Sequence, residues 1–288
     1  MSAGSMRLAL AQPHTVTGPD AEDNVARAAQ LAARAADQGA DLILYPEGYP
    51  GPVLPRPKDR YQAGPAMQEA ARSARIAICW SRMEQCEDGL YRLVVYLVDR
   101  DGQDRLRYER THPATLPPDE SRVWVAPGES LGLCDLDGVT VGMVVCSELW
   151  IPETTRVLAL RGAQIILSPA GGGFTSLTDN WQILVRARAI ENLCYVAMTN
   201  NIWKNEVGAA LIAGPENVLI ASGSEELLVA TLDLDRVAWL REQDDSLAEP
   251  KAFSSIPGLL RARRPELYDD LVKPGPGLYD FHSPSEQT

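Results

Sequence analysis

Cys146 and Glu47 are the residues from which chemistry is most directly read. Cys146 closes the apolar run Val139-Thr-Val-Gly-Met-Val-Val-Cys146, and Pro152 and Glu153 then open a helical pattern. A thiol at a strand end before a turn is carried on a rigid scaffold and can face a cleft. Backbone N–H groups of the following turn are then available to an oxyanion. Taken alone, such a cysteine is also an ordinary small core hydrophobe. Glu47 follows a second apolar run, Asp41-Leu-Ile-Leu-Tyr45, after Pro46. Parallel strands present their C-terminal ends at one edge of a sheet, where ligands bind. An acid and a thiol at two such ends form a base–nucleophile pair: the thiol needs a base, and a carboxylate in a desolvated pocket can act as one.

A cation is the third part. Tyr108-Glu-Arg-Thr-His112 ends another strand-like run and is followed by Glu120 and Trp124-Val-Ala-Pro-Gly128. A positive charge at Arg110 near the thiol would stabilise a thiolate and a developing oxyanion. An arginine in this place is equally an ordinary ion-pair residue.

The elements that must position these groups alternate along the chain. Arg7–Gln12 and Asp41–Tyr45 read as buried strands, separated by an Ala-rich helix with Asp20 as its N-cap and Gly39 as its stop. A helix near Ala66–Ala74 leads into a strand over Ile76–Ser81. Asp101-Gly102 and Asp137-Gly138 mark two hairpins, Tyr91–Asp99 with Asp104–Arg110 and Leu131–Asp135 with Val139–Cys146. Helices over Pro152–Arg161 and Trp181–Asn192 each feed a strand, Ala163–Leu167 and Tyr195–Thr199. Strands near Gly208–Ala213 and Glu226–Leu234 complete the pattern. Hairpins mixed with strand–helix–strand units predict an α/β fold with mixed sheets and helices on at least one face. Residues 6–240 read as one catalytic domain. Residues 241–288, polar and Pro-rich, read as a C-terminal arm packing on the domain or on a neighbouring subunit.

Composition narrows the function classes. At 288 residues the chain can bury a core without disulfides or metal. Its five cysteines form no CxxC pair, which argues against a disulfide framework and structural zinc. A net charge of −12 disfavours nucleic acid and acidic membranes as partners. No apolar run approaches the roughly 18–20 residues a membrane span needs, and the first residues do not read as a signal peptide. A cytoplasmic protein is expected.

In order and spacing the motifs resemble those of the nitrilase superfamily of carbon–nitrogen hydrolases, over residues 6–240. Leu44-Tyr-Pro-Glu47 is similar to its first catalytic signature, and Cys146-Ser-Glu-Leu-Trp-Ile-Pro-Glu153 to its nucleophile signature. Arg161-Gly-Ala163, Leu167-Ser-Pro-Ala170, Trp181, Arg186-Ala-Arg-Ala-Ile-Glu-Asn192 and Asn200 follow in the family's order. The resemblance implies an α-β-β-α sandwich and a Glu–Lys–Cys triad. Carried onto this sequence, Cys146 is the nucleophile, Glu47 the general base and acid, and Glu120 a second glutamate that orients the catalytic groups. The Ser147 backbone N–H becomes the oxyanion donor. The implied substrate is a small amide, carbamoyl compound or nitrile, turned over without metal or organic cofactor. The resemblance also implies a homodimer or larger homo-oligomer.

The departure lies at the cation: Arg110 stands where the family places lysine. A guanidinium keeps the charge but is larger, planar and never deprotonated. Arg110 is therefore a working substitute, the mark of a changed substrate or outcome, or the mark of lost hydrolysis. An acyl transferase using the same thioester and a non-catalytic binding protein are the alternatives from other classes. Glu148 is similar to the glutamate of true nitrilases, whereas Ser147 is not similar to their tryptophan. Leu149 and Trp150 put no charge near the thiol, which suggests a neutral acyl group. Trp150 and Tyr49, with Phe174 and Trp203, are candidates for the pocket wall.

Overall fold

The computed structural model describes residues 4–52, 61–114, 124–171, 178–202, 208–223, 226–242 and 258–282. Twelve strands and five α-helices occur among them. The first sheet has the order β12-β1-β2-β3-β4-β5. Its members are β1 (Ser5–Ala11), β2 (Leu42–Leu44), β3 (Ala77–Gln85), β4 (Tyr91–Val98), β5 (Asp104–Glu109) and β12 (Leu227–Asp233). The second has the order β11-β10-β9-β8-β7-β6. It contains β6 (Gly132–Leu136), β7 (Val139–Met143), β8 (Ile165–Ala170), β9 (Tyr195–Asn200), β10 (Ala210–Ala213) and β11 (Val218–Ser222). Each sheet has three parallel strands at its centre, β1-β2-β3 and β7-β8-β9, flanked by antiparallel ones.

The layering follows from side-chain alternation. Leu8, Leu10, Leu42 and Leu44 point into a cluster shared with Val139, Val141, Ile165 and Leu167 of the second sheet. Ala9, Ala11, Ile43 and Tyr45 point the other way, against α1 (Asp23–Asp37) and α2 (Ala63–Ala74). Because both faces of these strands are covered, their sequences are apolar without a break. Helices α3 (Pro152–Leu160) and α4 (Thr178–Asn192) cover the outer face of the second sheet, where Leu158, Trp181, Val185 and Ala189 are buried. The result is the expected α-β-β-α sandwich.

Several boundaries differ from the sequence reading. Asp20 lies in a short 3-10 turn, and α1 starts at Asp23. β7 ends at Met143, and the chain reaches Cys146 in extended conformation at Val145 before a left-handed bend. β11, a half-exposed edge strand, and α5 (Leu234–Glu242) were not expected. Asp233 caps α5, its carboxylate accepting the Arg236 N–H at 2.8 Å, so this helix runs across the expected end of the domain. Further along, Phe281 places its ring edge-on to His112, with centroids 5.4 Å apart.

Candidate active site

Three strand ends from two sheets meet at one edge of the sandwich. β2 delivers Glu47, β5 delivers Arg110 and β7 delivers Cys146. Cys146 has φ +52°, a left-handed conformation that costs a non-glycine residue energy and occurs at functional turns. It opens a 3-10 turn over Cys146–Trp150. The first N–H groups of such a turn lack partners within it, and the N–H of Ser147 is one of them.

Arg110 is 3 % exposed and its guanidinium reaches three ways. Nε donates to the His112 carbonyl at 2.9 Å, Nη1 to Glu47 Oε1 at 2.6 Å and Nη2 to Ser147 Oγ at 2.6 Å. One N–H remains on each terminal nitrogen. Burial by itself would lower the pKa of Arg110, but the negative charges of Glu47 and then Glu148 hold it up, and the value is raised. The cation is thus permanent and fixed in orientation.

The Cys146 thiol is pushed up to about 12, first by burial and then by the negative charge of Glu47. Arg110 and a hydrogen bond from the Gly171 N–H act in the opposite direction. Cys146 therefore rests as a thiol, hydrogen-bonded to Glu47. Gly171 follows β8 directly, and a Cβ there would stand 3.3 Å from Glu47 Oε2. The absence of a side chain lets this backbone lie close to the Glu47 carboxylate.

Glu47 is held by its own main chain. Its N–H donates to the Ala170 carbonyl at 3.1 Å, and its carbonyl accepts from Asn201 Nδ2 at 2.7 Å. The Thr15 hydroxyl donates to Asn201 Oδ1 at 2.5 Å. One residue further on, the Gly48 N–H donates to Ser81 Oγ at 2.7 Å. The second sheet thus fixes a residue that belongs to the first.

Of the residues expected from sequence, Glu47, Arg110, Cys146 and Ser147 lie together. Glu120, Phe174 and Trp203 lie outside the described residues. Trp150 is 43 % exposed and meets Trp181 edge-on, with centroids 5.5 Å apart. Tyr49 is fully buried on the helix side of the first sheet, stacked on Tyr45 at 5.6 Å, so it belongs to that core cluster and not to the wall around Cys146. Leu149 is fully buried core.

Sequence reasoning missed the role of Glu148. This carboxylate is wholly buried and accepts the N–H groups of Val145 at 2.6 Å, Thr111 at 2.9 Å and His112 at 2.9 Å. The Thr111 hydroxyl at 2.7 Å and the Tyr108 hydroxyl at 2.9 Å add to these. Burial alone would raise its pKa; hydrogen bonds from His112, Thr111 and Val145, with the charge of Arg110, hold it below the ordinary carboxylate range. One signal was available. Val145 and Glu148 have the spacing of a helix N-cap and its third residue, where an acid reaches back to the cap N–H. Asn201, Thr15, Ser81 and Gly171 gave no comparable local signal.

Among the described residues, no group of three or more His, Cys, Asp or Glu side chains is placed to hold a metal ion, and no helix is long and apolar enough to cross a membrane.

The carbon–nitrogen hydrolase family model matches residues 7–242. The hydrolase in the pqqF 5′ region of Pseudomonas protegens is 33 % identical over 288 residues, covering 93 % of each chain. The N-carbamoylputrescine amidase of Arabidopsis thaliana is 25 % identical, covering 88 % of this chain and 91 % of its own. Among solved structures, a glutamate-to-glutamine variant of the Nesterenkonia sp. AN1 amidase superposes with a TM-score of 0.73 at 28 % identity, over 93 % of this chain and 97 % of its own. In that structure the acetamide moiety of fluoroacetamide is covalently added at the active-site cysteine.

Proposed function

Because the chain belongs to the carbon–nitrogen hydrolase family and is an amidase-type enzyme of it, we propose that it hydrolyses a small neutral amide or carbamoyl compound through a thioester on Cys146. The observation that carries the reading is the junction of Glu47, Arg110 and Cys146, with Arg110 bound to Glu47 at 2.6 Å and the thiol hydrogen-bonded to the same carboxylate.

In this reaction Cys146 Sγ attacks the substrate carbonyl while its proton passes to Glu47. The carbonyl oxygen becomes an oxyanion between the remaining N–H groups of Arg110 and the Ser147 N–H. Glu47 then gives its proton to the leaving nitrogen, the C–N bond breaks, and ammonia or an amine departs. Water attacks the thioester as Glu47 takes one of its protons. The C–S bond breaks and the proton returns to sulfur, leaving the acid and the starting enzyme. Arg110 serves here as the working cation, a reading supported by its burial and by its hydrogen bond to Glu47.

A neutral acyl group fits the surroundings. The charged groups placed beside the thiol, Glu47 and Arg110, are already paired with each other at 2.6 Å, which leaves no free charge there for a charged acyl group. Because Glu148 is saturated with donors and sealed from solvent, its likeness to the nitrilase glutamate says nothing about a nitrile substrate. The same reading places the enzyme in the cytoplasm, with its five free thiols, as a homodimer or larger assembly. Leu160, Ile183, Leu271 and Val272 leave apolar surface for a second copy, and a monomer by light scattering would remove that part.

The test is ammonia release from amides, N-carbamoyl amines and nitriles by the wild type beside Cys146→Ala, with mass spectrometry of the protein during turnover. Release from an amide or carbamoyl compound by the wild type alone, with an acyl adduct on Cys146, supports the proposal. Undiminished release by Cys146→Ala overturns it. Release from nitriles alone, or acyl transfer to added amines in preference to water, replaces it with those chemistries.

A further inference from the structure

We propose that Glu148 is a positioning residue for the reaction, the link that sets the Arg110 cation of the first sheet in register with the Cys146 turn of the second. The proposal rests on the amide-hydrolase reading for the step it affects, but not for the geometry it invokes.

The two catalytic segments approach from strands in different sheets, and no ladder joins them. Glu148 supplies the join. On one side its Oε2 accepts the N–H of Val145, the residue before the nucleophile. On the other side its Oε1 accepts the N–H groups of Thr111 and His112, the two residues after the cation. The His112 carbonyl in turn accepts from Arg110 Nε at 2.9 Å. An unbroken chain of contacts therefore runs from the Cys146 turn through one carboxylate to the peptide that aims the guanidinium. Glu148 itself has no exposed surface, so it acts on substrate only through these neighbours.

The donor set also explains why a carboxylate is required. Backbone N–H groups point at both oxygens, and Thr111 and Tyr108 add hydroxyl donors. A carboxylate is acceptor-only and takes them all. An amide in its place must set its NH2 against either the Val145 N–H or the Thr111 and His112 pair. Buried donor facing donor is costly, and the two segments would separate. A misplacement of about 1 Å at a reacting centre can cost about 100-fold in rate.

The experiment uses the intact chain as wild type, Glu148→Gln, Tyr108→Phe and Thr111→Val. The last two variants each remove one donor on the Arg110 side and keep the carboxylate. Two quantities are read: kcat and KM on the best amide, and the rate of Cys146 carboxamidomethylation by iodoacetamide across neutral and alkaline pH. Glu148→Gln is expected to lower kcat at least about tenfold with KM within about threefold. Its alkylation is expected to slow at each pH, the profile moving to higher pH as Arg110 loses its hold near the thiol. Tyr108→Phe and Thr111→Val are expected to do the same to a smaller degree. A purely structural role would lower Tm and leave the alkylation profile and the split between kcat and KM untouched. Wild-type kcat and alkylation in Glu148→Gln overturns the proposal. If Glu148→Gln does not fold, wild-type behaviour of both hydroxyl variants overturns it. If the wild type turns over no amide, the reaction reading fails, and the alkylation profiles alone decide whether Glu148 sets the geometry.

Discussion

Two charged clusters lie on opposite sides of the first sheet. On the outer face of β3, β4 and β5, Arg82 pairs with Glu84 at 2.6 Å, Arg107 with Glu84 and with Glu109 at 2.6 Å, and Arg92 with Asp88 at 2.7 Å. A cleft of about 880 Å³ opens along this row. On the inner face sit Arg110, Glu47 and Glu148. Glu109 and Arg110 are adjacent in sequence, and the pleat sends them to opposite sides. In each cluster an arginine contacts a carboxylate at 2.6 Å, so contact geometry does not tell Arg107 and Arg110 apart. Solvent does: the Arg107 side chain is 40 % exposed and that of Arg110 is 3 % exposed. The exposed Arg107 pairs contribute about 0–1 kcal/mol each and are screened by salt. A buried cation keeps its field and needs no reorganisation when charge develops beside it.

The sharpest test of this contrast is Glu47→Gln. Loss of the general base is expected to reduce kcat by about 1,000-fold while Cys146 stays open to alkylation. The sign of the accompanying shift is fixed. The charge of Glu47 raises the Cys146 thiol, so its removal should move the alkylation profile to lower pH. A profile moved to higher pH would mean that Glu47 does not act on the thiol as the geometry requires.

Arg110→Ala comes next, with an expected loss of at least about 100-fold in kcat, the scale of an oxyanion donor. A loss under threefold would place Arg110 outside the reaction. Arg110→Lys keeps the charge but has one nitrogen for three anchors, and about tenfold loss is expected. Activity above the wild type would show that this pocket is not built around a guanidinium.

The smallest effect belongs to the outer cluster. Arg107→Ala should leave kcat within about twofold and stability within about 1 kcal/mol by denaturant unfolding. A tenfold fall in kcat would break the distinction between the two faces.

Much of this architecture was legible along the chain. Asp101-Gly102 and Asp137-Gly138 fixed two hairpins because their turns need residues that accept positive φ, which Gly102 and Asp137 adopt. Pro46-Glu47 and the run ending in Cys146 marked strand ends because apolar runs stop where a strand leaves the core. β11 escaped because a short, half-exposed edge strand has no clean alternation. The start of α5 was available in Asp233 as a cap, a signal obscured by the strand that the same residue ends.

The chain by itself determined the order of strands and helices except for β11 and α5, the family, and the presence of an acid, a cation and a thiol at strand ends. Tertiary structure decided which neighbours each would have. Leu42, Ile43 and Leu44 are all fully buried, so alternation in β2 carried no sign of which face met the second sheet. Only the packed sandwich sent Tyr49 to the outer core and let Glu148 accept the N–H of His112, 36 residues away. A local pattern records whether a residue avoids water, whereas the partners of a buried carboxylate come from whichever strands the fold brings alongside it.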